Sequence, residues 1–250
     1  MRFNSLVTIS FLSLIAGSWT VAQEASLPVA NDVVAQMLER DAQRQHSLEG
    51  YEGMRRYTLV NEHMGKRAEM LVRVRGDRDG TKHFEIVTET GWKAAQKHVL
   101  HKMLDSEAET SRPEERVKAR LSPDNYEFQM IGSEKAGDRT VYTIDVTPKR
   151  REKYLFCGRI WVDAEDYALV RADGNPAKNP SFWTKNVHFV HAYEKSGRFW
   201  FPLTTESVTD ARLFGTTDLT IEYFEYKPKT LTAPQDSVVS RNEERLREMD

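Results

Sequence analysis

The chain opens on an apolar run. Leu6 to Ile15 is interrupted only by Thr8, Ser10 and Ser13, and it follows a lone positive charge at Arg2. Small residues, Thr20-Val21-Ala22, come before the polar sequence that starts at Gln23. This order reads as a secretory signal peptide over residues 1–22, cleaved after Ala22. The pattern then turns helical. Val33, Val34, Met37, Leu38 and Ala42 fall on one face of a 3.6-residue period, with Glu39, Arg40, Arg44 and Gln45 opposite. That predicts a helix over 32–45 capped by Asn31. After Gly50 and Gly53 the period drops to two. Strands are predicted over 55–60, 68–75 and 83–90, with Asp77-Arg78-Asp79-Gly80 as the turn between the last two.

Residues 92–121 interrupt the alternation. Trp92, Ala95, Val99, Leu100, Met103 and Leu104 recur at helical spacing, and Pro113 stands where a second helix would begin. Alternation returns at Tyr126 and persists. One strand runs from Tyr126 to the turn Lys135-Ala136-Gly137-Asp138, and the next is closed by Pro148. Five more are predicted over 153–163, 167–175, 182–194, 198–209 and 214–226. Short polar connections such as Asp163-Ala164-Glu165-Asp166 and Glu194-Lys195-Ser196-Gly197 suit hairpins. About ten strands with no run of βαβ units require a mainly antiparallel sheet. A sheet that wide tends to curl, and both helical segments have an apolar face to bury. The predicted fold is therefore a curved, half-open β-barrel, with the N-terminal helix and the helical insert covering its concave face. The boundaries are 1–22 for the signal peptide, 23–227 for the folded domain and 228–250 for a polar tail. Within the tail, 237–250 reads as a solvated helix or unstructured chain.

Composition narrows the function classes. The chain has 250 residues, a net charge of −2 and 30% charged side chains, which lacks the basic excess of a nucleic-acid binder. Beyond the first 22 positions no apolar run reaches 18 residues, so no transmembrane helix is expected in the exported part. The lone cysteine, Cys157, excludes an intramolecular disulfide and a cysteine-based zinc site.

Catalytic and metal motifs are weak. His98 and His101 have workable metal-ligand spacing on a helix, with Glu107 and Glu109 downstream, but no further His or Cys is positioned to complete a site, so they read as a helix face. His188 and His191 sit on a strand at a spacing that sends them to opposite faces. There is no G-x-S-x-G elbow, and Ser181 reads as a residue at the start of a strand. Neither a P-loop nor a dinucleotide fingerprint occurs. Asp163 and Asp166 are explained by turn chemistry. Cys157, mid-strand, reads as a small buried apolar residue, the alternative being a redox-sensitive thiol. Lys149-Arg150-Arg151-Glu152-Lys153 reads as a solvated basic turn, the alternative being contact with anionic headgroups or a partner. Trp161 reads as core. Trp183 and Trp200 suit either a core or the mouth of an apolar pocket, since indole joins a large apolar face to one donor.

Two stretches carry a resemblance. Tyr154-Leu155-Phe156-Cys157-Gly158-Arg159-Ile160-Trp161-Val162-Asp163, after the Pro148-Lys149 turn, resembles the strand pair of LolA-like exported proteins. Asn179-Pro180-Ser181-Phe182-Trp183-Thr184-Lys185, followed by Gly197-Arg198-Phe199-Trp200-Phe201-Pro202, is similar to a periplasmic branch of outer-membrane lipoprotein-sorting proteins. The likeness covers roughly residues 30–227. It implies a periplasmic, non-enzymatic carrier without a cofactor, which holds acyl chains of lipoproteins or lipids in a hydrophobic cavity under a helical lid. Implied partners are an inner-membrane release complex and an outer-membrane acceptor, with no nucleic acid, and the protein is expected to be monomeric. The same superfamily includes MucB/RseB-type regulators, which bind a membrane protein, so a regulatory role is the alternative. This chain has the insert at 92–121 and the charged tail as its own features. The expected lipid-binding residues are Tyr57, Leu59, Met70, Val72, Phe84, Val99, Met103, Phe128, Trp161, Trp183 and Trp200.

Overall fold

The computed structural model describes residues 27–179, 184–211 and 215–230. The segment expected to be a signal peptide (1–22), the tail beyond Thr230 and Trp183 lie outside the described residues. Helix α1 (Ala30–His46) leads into three strands: β1 (Leu48–Asn61), β2 (Lys66–Asp77) and β3 (Lys82–Gly91). A helical insert follows, made of α2 (Lys93–Ala95), a π turn (Gln96–Leu100), α3 (His101–Thr110) and α4 (Pro113–Ala119). The remaining strands are β4 (Tyr126–Ala136), β5 (Arg139–Pro148), β6 (Phe156–Asp163), β7 (Leu169–Pro176), β8 (Thr184–Ser196), β9 (Phe199–Ala211) and β10 (Gly215–Thr230).

They form one ten-stranded sheet in the order β3-β2-β1-β10-β9-β8-β7-β6-β5-β4. Every neighbouring pair is antiparallel. This is the fold class read from the sequence: a curved, unclosed antiparallel sheet with helices packed on it. The chain starts mid-sheet at β1, walks to the β3 edge, jumps through the insert to the β4 edge, and returns to seal β10 against β1. Laid flat, nine strand-to-strand steps of about 4.8 Å would separate the two edges by about 43 Å. An insert of short helices bridges those edges most directly by lying across the concave side of a curled sheet.

Burial follows the pleat and splits the core in two. On α1, Ala30, Val33, Val34 and Met37 are buried with Tyr126, Ile144, Val146, Leu155, Ile160 and Val162 of the β4–β7 half. On the insert, Ala95, Leu100 and Leu104 are buried with Tyr57, Leu59, Ala68, Met70 and Val72 of the β1–β2 half, and with Ile221 of β10. Each helical segment thus covers its own half of the sheet. A third cluster (Leu48, Phe199 and Phe201, with Tyr51 and Tyr226 against it) closes one end.

Several details differ from the sequence reading. Helix α1 begins at Ala30, with Val29 in the N-cap position and no side-chain cap, so Asn31 lies inside the first turn. Helix ends read from pattern commonly shift by a residue or two. Strand β1 starts at Leu48, because Gly50 and Gly53 sit inside it rather than before it. Strand β10 continues through Pro228 to Thr230, paired with β1, where the sequence reading placed the start of the tail. Cys157 is exposed rather than buried, because it shares the outer parity of β6 while Phe156 and Ile160 take the inner face. Trp161 has that same outer parity and is not core. Its indole donates to Glu134, and the Arg171 guanidinium lies 5.0 Å from the ring centre.

The Asp163 turn is more than loop chemistry. Its buried carboxylate takes both Arg139 Nε and Nη2, and Oδ1 also accepts the backbone N–H groups of Glu165 and Asp166. One side chain therefore organises the β6–β7 turn and binds it to β5. Asp163→Ala should cost about 3 kcal/mol, since the Glu165 and Asp166 N–H groups and the Arg139 fork lose the buried acceptor they share. Thermal melts should show a drop in Tm of roughly 6–12 °C, whereas Glu165→Ala, on a side chain 79% exposed, should leave Tm nearly unchanged.

Candidate functional site

The inner face of the β1–β3 half is an apolar floor with one large exception. Arg55 lies on β1 two residues before Tyr57 and four before Leu59, so the pleat places it on the same face. It is only 1% exposed. Its guanidinium donates to Glu107 Oε2 at 2.7 Å, to the Tyr226 hydroxyl at 3.0 Å and to the Tyr57 hydroxyl at 3.3 Å. The rings of Tyr223 and Phe84 lie 4.8 and 5.2 Å from its central carbon. Gly53 makes room for this arrangement: a Cβ there would sit 2.8 Å from the Tyr226 ring, which would push its hydroxyl off Arg55.

Glu107 comes from α3, so the pair joins the insert to the sheet. Its other oxygen accepts Lys82 Nζ, at the start of β3, at 2.7 Å. Burial alone would raise the Glu107 pKa, but Lys82 and Arg55 outweigh it and hold it down to about 2. Additional ties pin the insert. The Lys82 backbone N–H donates to Ser111 Oγ, His101 pairs with Glu89 at 2.7 Å, and Arg116 donates to the Asp79 carbonyl. The basic turn after β5 belongs here too: Arg150 donates to Asn125 Oδ1 and to the Lys118 carbonyl. One feature works against closure. The π turn buries Gln96, whose Nε2 reaches the Thr90 carbonyl while Oε1 has no partner among the described residues. An unpaired buried acceptor costs about 1–3 kcal/mol.

A polar strip continues from Arg55 across the middle of the sheet. Tyr223 meets Thr205 Oγ1 at 3.0 Å, and Thr205 Oγ1 meets His191 Nδ1 at 2.7 Å. Burial pushes His191 down from 6.5 to about 4, against the pull of Glu107, with Lys82 adding to the depression. Two openings lie beyond the strip. A cavity of about 250 Å³ between α1 and the β7–β9 region has an apolar wall that includes Met37, Leu38, Leu121 and Trp200, and the charged side chains of Asp41, Arg44 and Arg120 also line it. That is smaller than the usual 300–1,000 Å³ ligand pocket. A shallower cleft of about 510 Å³ beside it is charged, with Arg40, Arg44, Lys195 and Arg198 facing Glu165 and Asp166.

Of the residues expected to line a lipid site, Tyr57, Leu59, Met70, Val72 and Phe84 come together beneath the insert, and Met103 packs on them from α3. Phe128 joins the other core half, under α1. Trp200 lines the small cavity and donates to Asp166. Trp161 faces outward. Val99, on the π turn, is exposed and turned away from the floor. Arg55, Lys82, Thr205 and Tyr223 were absent from the sequence reading of the site, and Glu107 and His191 entered it only as metal candidates. The parity of Arg55 with Tyr57 and Leu59 was the available signal. Nothing in the sequence pairs it with Glu107, 52 residues away. His188 pairs with Asp173 on the outside while His191 is turned inward, so the two do not share a face. Among the described residues no three His, Cys, Asp or Glu gather as metal ligands, and no helix is long and apolar enough to cross a membrane.

Both perturbed groups make folding sensitive to acid. Each has a folded pKa below its unfolded one, so the unfolded chain takes up protons first and stability falls as pH falls. The His191 contribution should be lost between pH 6.5 and about 4, and that of Glu107 between about 4.5 and about 2. Melting temperatures measured from pH 8 to pH 2 should show both losses. His191→Gln should flatten the upper window and Glu107→Gln the lower one.

Comparison with known proteins adds the following. A model for a family of unknown function, DUF5686, matches residues 120–226. No curated protein matches the chain. Among solved structures, the fold is similar to a DUF1329 family protein from Desulfovibrio piger, at 12% identity and a TM-score of 0.44 over 83% of this chain and 96% of that one. It is similar to a domain from Vibrio parahaemolyticus named for outer-membrane lipoprotein sorting, at 13% identity and a TM-score of 0.42 over 85% and 97% of the two chains. It is also similar to a LolA superfamily protein from Nitrosomonas europaea, at 10% identity and a TM-score of 0.40 over 82% and 96%.

Proposed function

We propose that this chain is an exported, periplasmic carrier that takes up acyl chains, from lipoproteins or lipids, between its sheet and its helical insert. The observation that carries the reading is a helical cover over an apolar floor. The insert presents Ala95, Leu100, Leu104 and Met103 to the floor, and its deepest polar tie to the sheet is the Glu107 bridge to Arg55 and Lys82. Those four side chains contribute roughly 5–8 kcal/mol by leaving water. An acyl chain of about 16 carbons, at about 0.8 kcal/mol per methylene, gains about 12 kcal/mol. By apolar burial alone such a chain outweighs the four side chains it would displace from the floor, while a short chain does not. The small cavity at Trp200 and the unpaired Gln96 oxygen are consistent with a fold that stops short of perfect closure. No covalent step is involved: the insert lifts, the chain enters, and an acceptor withdraws it.

A regulatory role, in which the protein docks an exported segment of a membrane protein, is favoured by a different feature. Among the described residues β3 and β4 are the sheet's unpaired edges, and Ile86, Val87 and Ile131 on them are exposed. Unpaired edges of this kind accept an added strand.

Native mass spectrometry of residues 23–250, purified from the periplasm without detergent and followed by solvent extraction, separates the two. The carrier reading expects a co-purifying acylated species, or uptake of added long-chain lipid. It also expects Glu107→Gln to take up the apolar probe N-phenylnaphthylamine several-fold faster. A clean protein mass with no lipid or probe uptake, in wild type and variant alike, would remove it and leave the edge-docking reading.

A further inference from the structure

Resting on the carrier reading, we infer that the cargo carries a negative charge, a carboxylate or a phosphate, which takes the place of Glu107 between Arg55 and Lys82. Opening the cover would leave a buried cation behind. Arg55 is fully charged at any relevant pH and is the largest fully buried side chain among the described residues. Its neighbours on the sheet are phenols and aromatic faces, all neutral, and the carboxylate that balances it arrives on α3. Lifting the insert removes that carboxylate and leaves the cation.

A neutral acyl chain laid over the floor would then bury Arg55 without a counter-ion. Removing one partner of a buried pair is strongly unfavourable, so such cargo would forfeit much of what its methylenes gain. An anionic amphiphile avoids the penalty by supplying the missing charge. The position suits it. Arg55 lies deep, while Lys82 and Glu107 are 30% and 32% exposed, so the anion would sit at the mouth and the tail would run inward over Tyr57, Met70 and Val72. Glu107 acts in this picture as a built-in substitute for the cargo headgroup. It occupies the site when empty and competes with the ligand when full. The guanidinium fork can donate to either a carboxylate or a phosphate, so the two share one chemistry.

Three ligands with the same 16-carbon tail test this by fluorescent-probe displacement: palmitate, 1-palmitoyl lysophosphatidate and the neutral 1-monopalmitoylglycerol. We expect the anionic ligands to bind at least tenfold more tightly than the neutral one. Lys82→Gln, on a partly exposed side chain that should leave folding intact, should reduce that ratio several-fold. Arg55→Gln should bring it near one, with circular dichroism checking its fold. Glu107→Gln, by removing the internal competitor, should raise the ratio. Preference for palmitate alone or for lysophosphatidate alone would support the inference and identify the headgroup. Equal binding of all three by wild type, or an anionic preference untouched by both Lys82→Gln and Glu107→Gln, would overturn it and leave the carrier reading intact. Binding of none would overturn both.

Discussion

A guanidinium held out of water beneath a helix sets the conditions for the whole inner face. Arg55 cannot lose its proton, and strand β1 cannot turn it outward without turning Tyr57 and Leu59 outward as well. Its charge must therefore be met in place. Tyr57, Tyr226 and Tyr223 lend hydroxyls and ring faces, but the compensating charge comes from Glu107 on the insert. The connection that links the two edges of the sheet thereby also neutralises its centre. Closure of the cover and satisfaction of the buried cation are one event.

The topology explains why the insert has that role. Each hairpin of the sheet is local in sequence, and so is each turn. The two long-range requirements are the pairing of β1 with β10 and the passage from the β3 edge to the β4 edge. The first is met by backbone hydrogen bonds along both strands. The second is met by a short run of helices, whose buried side chains make the floor of one half of the sheet into a core. Helix α1 does the same for the other half. Between the two lies a line of Arg55, Tyr223, Thr205 and His191, where neither apolar cluster is continuous. The two larger apolar clusters are therefore joined through a polar strip.

Much of the architecture was legible from period alone. Ten strands, the order of helix, three strands, insert and seven strands, and an antiparallel sheet all follow from alternation and from the break at residues 92–121. The errors occur where period is uninformative. Cys157 and Trp161 sit on a strand whose two faces are both partly covered, so apolar character did not reveal which way they face. Val99 matched the helical stripe, but the π turn at Gln96–Leu100 changes the phase of the helix there and leaves it exposed. The candidate site was half legible. Its apolar lining came from the strands, whereas its ionic centre needed two residues distant in sequence to meet.

By itself the sequence determined the class of fold, the strand count, the place of the insert and the parity that brings Arg55, Tyr57 and Leu59 to one side. These are consequences of local geometry, since a strand alternates and a helix repeats regardless of what packs against them. Only the tertiary structure decided that the insert folds over the β1–β3 half, that Glu107 meets Arg55 and Lys82, and that His191 is half-buried in between, with its pKa depressed. Those outcomes depend on how far the sheet curls and where the edges come to lie. Curvature is a property of ten strands acting together and is written in no single segment of the chain.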